Sequence, residues 1–517
     1  MEYNEEHFEY IKNLVQKEGS KVTPAVKSMC KNFDLPYDDN IRRIFASRLQ
    51  RERITNNVRV IEDSDEFKKA RGKKFDKRRN TFIFTWAQNE TPVHRNFFDN
   101  IIAYSKERKA GVHVILGRYK NPTSVFTDQD KDTWVPEVLP YADANRHNIH
   151  KYLQILSDIK ISPTASMPLS SLNSVTGLES CIVGHPRQHL KSLPVLESYP
   201  NKLLMSTGAC TVENYTDSKS GKKSEFHHNL GCIVVELDGD YYHIRQITAD
   251  DDGNFYDLFH RVKDGVVSEN TEGCVVAVLG DLHIANIDKY ADKKTFQLLD
   301  IMQPKYTICH DIFDGESVSH HDKNDPFKML FKEEEGLDVL SVEIEGMMKW
   351  IEKRLKYNLV FTRGNHEDFL DRWLKFSDWR KEGNKKDYLK YANIVAERLA
   401  PKGVIPYLIE ERFGDSIITL GIDDSFRILE WELSIHGHIG ASGSRGGHTQ
   451  FKNLNTKNVT AHGHHPHRED GHLAVGTLTK LKLGYNVGMS NWMHSNVLIY
   501  PDGKAQHVHL VNGKFHR

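Results

Sequence analysis

The sequence predicts an α/β protein of two to three domains, and three observations carry that expectation. Its 517 residues exceed what one hydrophobic core usually organises. Over residues 81–116 a strand-like stretch, a segment of helical period and a second strand-like stretch follow one another, the β-α-β rhythm of an α/β domain. From Val275 onward, five further apolar stretches each end in aspartate, asparagine or histidine.

Residues 1–61 read as a small helical domain. Phe8, Ile11, Leu14 and Val15 recur at helical spacing within Glu5 to Glu18. Thr23 and Pro24 mark a second helix start running through Cys30, and Asp38 or Asp39 can cap a third helix through Arg53. Arg42, Arg43, Arg48, Arg51 and Arg53 on the third helix give the set a helix-turn-helix look. A bundle used for packing, or for assembling a homo-oligomer, would show the same pattern. Residues 62–80 read as a linker in which Glu62, Asp63, Asp65 and Glu66 give way to a basic run from Lys68 to Arg79. Such a run suits contact with a phosphate backbone, and a solvated linker equally. Residues 81–270 read as an α/β domain without a catalytic motif; His227 and His228 there are expected to be loop residues.

Several classes are excluded or disfavoured. No apolar run approaches the roughly 18 residues of a membrane span, and the first residues lack the pattern of a signal peptide. The six cysteines are scattered without a CxxC pair, which points to reduced thiols in a cytoplasm. The net charge of -1 is neutral on nucleic acid. Histidine stands out: 12 of the 28 lie between Ile435 and Arg517, a reason to look for metal.

The chemistry is concentrated in residues 271–517. The run from Cys274 to Gly280 delivers Asp281 and His283, which on an extended chain point the same way. Tyr306 to His310 runs into Asp311 and Asp314, and Tyr357 to Thr362 into Asn365, His366 and Glu367. Leu433 to Ile435 leads to His436 and His438, and Val459 to Ala461 to His462, His464, His465 and His467. Hard oxygen and borderline imidazole donors at five strand ends, with no cysteine, are what a divalent metal site requires. The glycine-rich loop from Gly437 to Gly447 could bring backbone amides and Arg445 to a phosphate. His465 and His467 are expected at the rim or surface. Lys328 to Leu355 and Phe369 to Arg380 are expected to be covering helices, with Trp373 and Trp379 in packing roles.

The series resembles the calcineurin-like metallophosphoesterase superfamily over about residues 274–500. Asp281-Leu282-His283 is similar to its D-x-H motif, and Asp311 to Asp314 to its G-D-x-x-D, with His310 in place of the glycine. Gly364-Asn365-His366-Glu367 matches G-N-H-E, His436-Gly437-His438 resembles the fourth motif, and Ala461 to Pro466 resembles G-H-x-H-x-P. The resemblance implies a four-layer α/β-sandwich and two divalent ions, with Mn2+ the family expectation and Mg2+, Fe2+ or Zn2+ open. It implies one ion on Asp281, His283, Asp311 and His464, and the other on Asp311, Asn365, His436 and His462. It further implies a water made acidic enough to attack phosphorus, His366 at the phosphoryl group or the leaving oxygen, and Asp314 orienting His283 or a neighbouring ligand. His310, Glu367, His438 and Arg445 would stand around that set or meet substrate.

The cationic additions favour a DNA nuclease, with DNA as partner. A phosphomonoesterase or cyclic-nucleotide phosphodiesterase with regulatory N-terminal domains is the alternative, and a non-catalytic DNA-binding or assembly protein the second. In layout, with its long middle region beside such a core, the chain also resembles large phage proteins such as the early host-DNA-degrading protein of T5-like phages. That implies a place in the host cytoplasm.

Overall fold

A computed structural model describes residues 3–16, 22–51, 64–121, 133–381, 383–454, 456–484 and 486–517. The chain divides into two compact units, Met1–Asp65 and Glu66–Arg517. In the first, three helices, Glu5–Gln16, Val22–Asn32 and Asp39–Arg51, pack Phe8, Ile11, Val26, Met29, Ile41 and Phe45 into their own core. The side chain of Asp38 accepts the amide hydrogen of Ile41 at 2.7 Å and so caps the third helix. Two of the expected DNA-facing arginines are engaged inside the bundle: Arg48 pairs with Glu5 and lies over the Phe8 ring, and Arg42 pairs with Asp39. Arg43 is exposed. Arg53, Glu62 and Asp63 lie outside the described residues, as does the side chain of Arg51.

The expected linker is in part a helix. Asp65–Arg71 buries Phe67 and Ala70 in the core of the second unit, where Phe67 stacks on Trp134 and carries Arg118 over its ring. The charges that made this segment look solvated occupy the other side of a short amphipathic helix, whose apolar residues are too few to register as periodicity.

The second unit is α/β and is organised around one ten-stranded sheet. Its strand order is Arg427–Ile428, Trp431–Glu432, Lys457–Thr460, His472–Ala474, His467–Glu469, Leu190–Leu193, Lys202–Ser206, Ser180–Val183, Leu153–Leu156 and Arg146–His150. The expected boundary at 270/271 therefore does not separate sheets: the strand at His467–Glu469 pairs with Leu190–Leu193, Arg468 opposite Leu190. Sequence patterning could not show this, because a strand's partner is set by tertiary packing rather than by its own alternation.

A second sheet backs each half of the ten-stranded one. On one side lies a five-stranded sheet, Tyr241–Thr248, Gly231–Asp238, Thr81–Gln88, Gly111–Gly117 and Ala142–Asp143. Period-two alternation sends Phe82, Phe84 and Trp86 against Ile155, Ile182 and Met205 of the large sheet, and Ile83 and Ala87 against Phe97 and Ile101 of the helix Arg95–Glu107. Thr81–Gln88 and Gly111–Gly117 are parallel, so the expected β-α-β unit is present.

On the other side lies a six-stranded sheet, Ile418–Leu420, Leu359–Thr362, Tyr306–His310, Val276–Val278, Ser495–Ile499 and Ala505–His509. Its first four strands are parallel. Val276, Val278, Ile308 and Val360 meet Leu433, Val459 and Leu473 of the large-sheet side, while Ala277, Cys309 and Phe361 face helices through Leu299, Met347, Leu370 and Leu408. The expected helix over residues 328–355 is two, Pro326–Glu335 and Leu340–Glu352, interrupted where Gly336 takes φ +67°. Trp373 is buried in this core, and Trp379 is partly exposed. No helix among the described residues is long and apolar enough to cross a membrane, and all six cysteines are free and buried.

Candidate metal centre

The five donor-bearing strand ends come from two facing sheets. Parallel strands Val276–Val278, Tyr306–His310 and Leu359–Thr362 of the six-stranded sheet deliver Asp281 and His283, Asp311, and Asn365 to Glu367. Trp431–Glu432 and Lys457–Thr460, parallel to each other in the ten-stranded sheet, deliver His436, then His462 and His464. The fourth strand ends three residues earlier than its apolar pattern suggested. The loops turn sharply: His283, Asp311, His462 and His464 all have left-handed backbones, φ +41°, +43°, +66° and +57°. Left-handed non-glycine residues cost roughly 1–2 kcal/mol each, and their concentration here is typical of a site whose geometry the surroundings impose. Backbone bonds impose it: His283 N–H donates to Asp311 O at 2.7 Å, and Ala461 N–H to His436 O at 2.7 Å. Gly364 is required by space, since a Cβ there would stand 1.9 Å from Asp311 Oδ1.

Two groups of donors result. Asp281, His283 and His464 form one: His464 Nε2 lies 2.9 Å from Asp281 Oδ2 and 3.2 Å from His283 Nε2. Asp311, His436 and His462 form the other, with Asn365 Oδ1 3.1 Å from His436 Nε2. Asp311 joins them, its Oδ2 lying 3.1 Å from His436 Nε2 and 3.7 Å from His283 Nε2. Asp281, His283, Asp311, His436 and His464 are buried, and His462 is half-buried.

The electrostatics are those of a charge-dense pocket. Burial pushes the Asp281 carboxyl up, but His464 beside it outweighs that and holds it at about 2. Burial likewise acts against ionised Asp311, and His436 and His366 draw it well below the usual carboxylate range. Burial disfavours the charged forms of His283 and His436, yet Asp314 holds the first, and Asp311 the second, up at about 9. His462 is pushed down to about 4 by burial and by His436.

The residues fit a divalent cation. Both oxygens of Asp281, Oδ2 of Asp311 and Nδ1 of His436 and His464 are buried yet make no hydrogen bond. The neighbouring imidazole nitrogens stand at contact distance without the alignment of a donor. Buried polar atoms are ordinarily satisfied, so this concentration of unsatisfied carboxylate and imidazole atoms calls for a cation.

The surrounding residues brace the ligands. Asp314 Oδ1 lies 3.6 Å from His283 Nδ1, and Asp314 Oδ2 accepts from Asn286 Nδ2 at 2.5 Å. Glu367 is buried and accepts the amide hydrogens of Ile312, Phe313 and Gly364 at 2.9, 3.1 and 2.8 Å, so one carboxyl clamps the loops bearing Asp311 and Asn365. His310, where the resembling family has glycine, is buried beside His436, its Nδ1 2.5 Å from Thr362 Oγ1. His366 Nδ1 lies 2.6 Å from the Asp314 carbonyl oxygen. A carbonyl only accepts, so Nδ1 carries the hydrogen and Nε2 of the neutral ring is bare. Burial and His283 push His366 down to about 4, so the ring is neutral at neutral pH.

Other expected residues lie further out. His438 is half-buried, 3.8 Å from Asp368 Oδ2. Arg445 is exposed, and its backbone pairs with Ile439. His228 is a loop residue bonded to Tyr215 and Thr211. His465 and His467, expected at the rim, are half-buried against His448. Three contributors had no signal in the sequence. Thr477 Oγ1 donates to Asp281 O, Asn496 Oδ1 accepts from Gly280 N, and the Trp492 ring sits 4.1 Å from that of His464. They lie in a loop and strand whose residue types mark no chemistry.

No family model matches the chain, and neither does any solved structure. The chain is similar to Protein A1 of Escherichia phage T5: the two are 28% identical over 471 residues, spanning 84% of this chain and 82% of the phage protein.

Proposed function

We propose that the chain is a metal-dependent phosphoesterase that hydrolyses DNA, with two divalent ions shared through Asp311 in a calcineurin-like four-layer α/β-sandwich. The observation that carries this reading is the position of Asp311 between two histidine-containing donor groups, within 3.1 Å of His436 and 3.7 Å of His283. Two close dications repel unless an anion lies between them, and Asp311 is held ionised for that task.

Asp281, His283 and His464 would hold one ion, and Asn365, His436 and His462 the other. Ions bound there lower the pKa of water and offset the charge developing on a phosphodiester. Asp314, 3.6 Å from His283 Nδ1, would orient that ring, and Glu367 joins the loops that carry Asp311 and Asn365. His366, its Nε2 free of the Asp314 contact, would meet the phosphoryl oxygens or the leaving oxygen. Oxygen and imidazole donors without sulfur suit Mn2+ first, with Mg2+, Fe2+ and Zn2+ as alternatives.

DNA as substrate is supported by cationic surface. A cavity of about 550 Å³ in the second unit is lined by Lys73, Lys74, Arg79, Lys106 and Lys109 against one carboxylate, Asp76. Such a lining suits a polyanion better than a small monoester. Similarity to a phage protein supports action in the host cytoplasm. The test is digestion of linear and closed-circular double-stranded DNA with Mn2+, Mg2+ or chelator, beside Asp311→Ala and His366→Ala chains. Metal-dependent loss of DNA, absent from both variants, is expected. Intact DNA under every condition, with turnover of a small phosphoester instead, would sink the DNA reading.

A further inference from the structure

A second histidine cluster adjoins the first without sharing its carboxylates. His465 follows His464 in sequence, but its Nδ1 lies 2.6 Å from Gly463 O and its Nε2 lies 3.4 Å from His448 Nε2. His448 Nδ1 is 3.0 Å from His472 Nε2, and His472 Nδ1 is 2.7 Å from Asn458 Oδ1. His467 stacks on His448 with ring centroids 3.9 Å apart and planes 12° from parallel.

The hydrogens of this chain can be counted. Gly463 O only accepts, so His465 Nδ1 carries a hydrogen and its Nε2 is bare. Asn458 Nδ2 donates to Phe451 O and Thr456 O, both at 3.0 Å, which fixes Oδ1 toward His472. His472 therefore carries its hydrogen on Nδ1, and its bare Nε2, at 3.0 Å the closer of the two nitrogens facing His448, takes the one hydrogen of that neutral ring through Nδ1. That leaves His448 Nε2 bare as well. Four links run from Gly463 to Asn458, and three neutral imidazoles supply only three hydrogens. The missing one falls between His448 and His465, where two lone pairs face each other at 3.4 Å. Burial and neighbouring imidazoles push His448 down to about 2 and His472 down to about 3, so neutral rings are the right ones to count.

A cation between the two nitrogens resolves the clash. Nitrogen ligands about 2.0–2.1 Å from a tetrahedral ion stand about 3.3–3.4 Å from each other, the spacing seen here. We infer that His448 Nε2 and His465 Nε2 are ligands of a further metal site, separate from the Asp311 centre and selective for a borderline ion such as Zn2+, with water completing the shell. An all-nitrogen pair disfavours Mg2+ and Mn2+, which prefer oxygen. Bound there, the ion ties the helix His448–Lys452 to the loop carrying His462 and His464. The inference does not depend on what the Asp311 centre hydrolyses.

The full chain, stripped with chelator, reloaded with Zn2+ and freed of excess ion, gives the test by elemental analysis. His448→Gln is expected to hold one zinc per chain fewer than wild type. The same loss of one is expected when His448→Gln is added to Asp311→Asn. Equal zinc content with and without His448→Gln in a folded chain would overturn the assignment and leave a shared proton in the gap. Should His448→Gln fail to fold, crystals of the zinc-loaded wild type decide. An anomalous peak between the two Nε2 atoms is expected, and a map without one there overturns the site.

Discussion

Two histidine clusters a few residues apart in sequence sit in opposite electrostatic settings. In the Asp311 centre, carboxylates outweigh burial and hold His283 and His436 up at about 9. Around His448 the Glu469 carboxylate, 3.5 Å from His467 Nε2, does not outweigh burial, which with like neighbours drives His448 and His472 down to about 2 and 3. The same side chain is thus a charge-compensated partner in one place and a bare nitrogen donor in the other. What separates them is whether a strand end also delivers an aspartate.

The largest expected effect breaks the first cluster. Asp311→Ala removes the anion common to both donor groups, and the loss of several kcal/mol of charge stabilisation corresponds to a fall in turnover on the order of 10³-fold or more. Steady-state hydrolysis across a Mn2+ titration would measure it. Next comes Asp314→Asn, which leaves every proposed ligand in place but weakens the hold on His283. An outer partner of this kind typically matters 10–100-fold, as roughly that rise in the Mn2+ concentration for half activity. An unchanged metal dependence would show that Asp314 does not orient the ligand.

Glu367→Gln tests the frame rather than the ligands. The amide nitrogen of glutamine would face the N–H of Gly364, leaving a buried donor unsatisfied, at a cost of about 1–3 kcal/mol in a thermal melt. The smallest effect separates the clusters by pH in chelator-treated protein. His448 and His472 have folded pKa values below the ordinary 6.5, so their stabilising contribution is complete above that value and is lost as pH falls toward 3. His283 and His436 have raised values, so theirs is complete below 6.5 and is lost as pH rises through 9. Replacing His448 and His472 together by leucine should flatten the acid side of the melting profile and leave the alkaline side alone. An acid side as steep as before would refute the neutral-imidazole picture.

Much of the Asp311 donor cluster was legible because its side chains sit at strand ends, where an apolar run and the polar residue after it are adjacent in sequence. Asp281, His283, Asp311, Asn365 and His436 each announce themselves that way. His465 and His467 did not, since a histidine beside a proline at a loop looks the same whether it meets solvent or His448. The helix at Asp65–Arg71 was hidden by its own charges, with only Phe67 and Ala70 to mark the buried side. Strand partnership across the ten-stranded sheet was hidden too, because Leu190 and Arg468 stand 278 positions apart and nothing local relates them.

That pairing bears on how such a chain can be inherited. A recombination joining the residues after 270 to a foreign first half would leave the edge at His467–Glu469 bare, one strand away from the loop that carries His462 and His464. The segment that can be exchanged intact is the whole of Glu66–Arg517. Lineages should therefore shuffle what precedes it far more freely than anything within it.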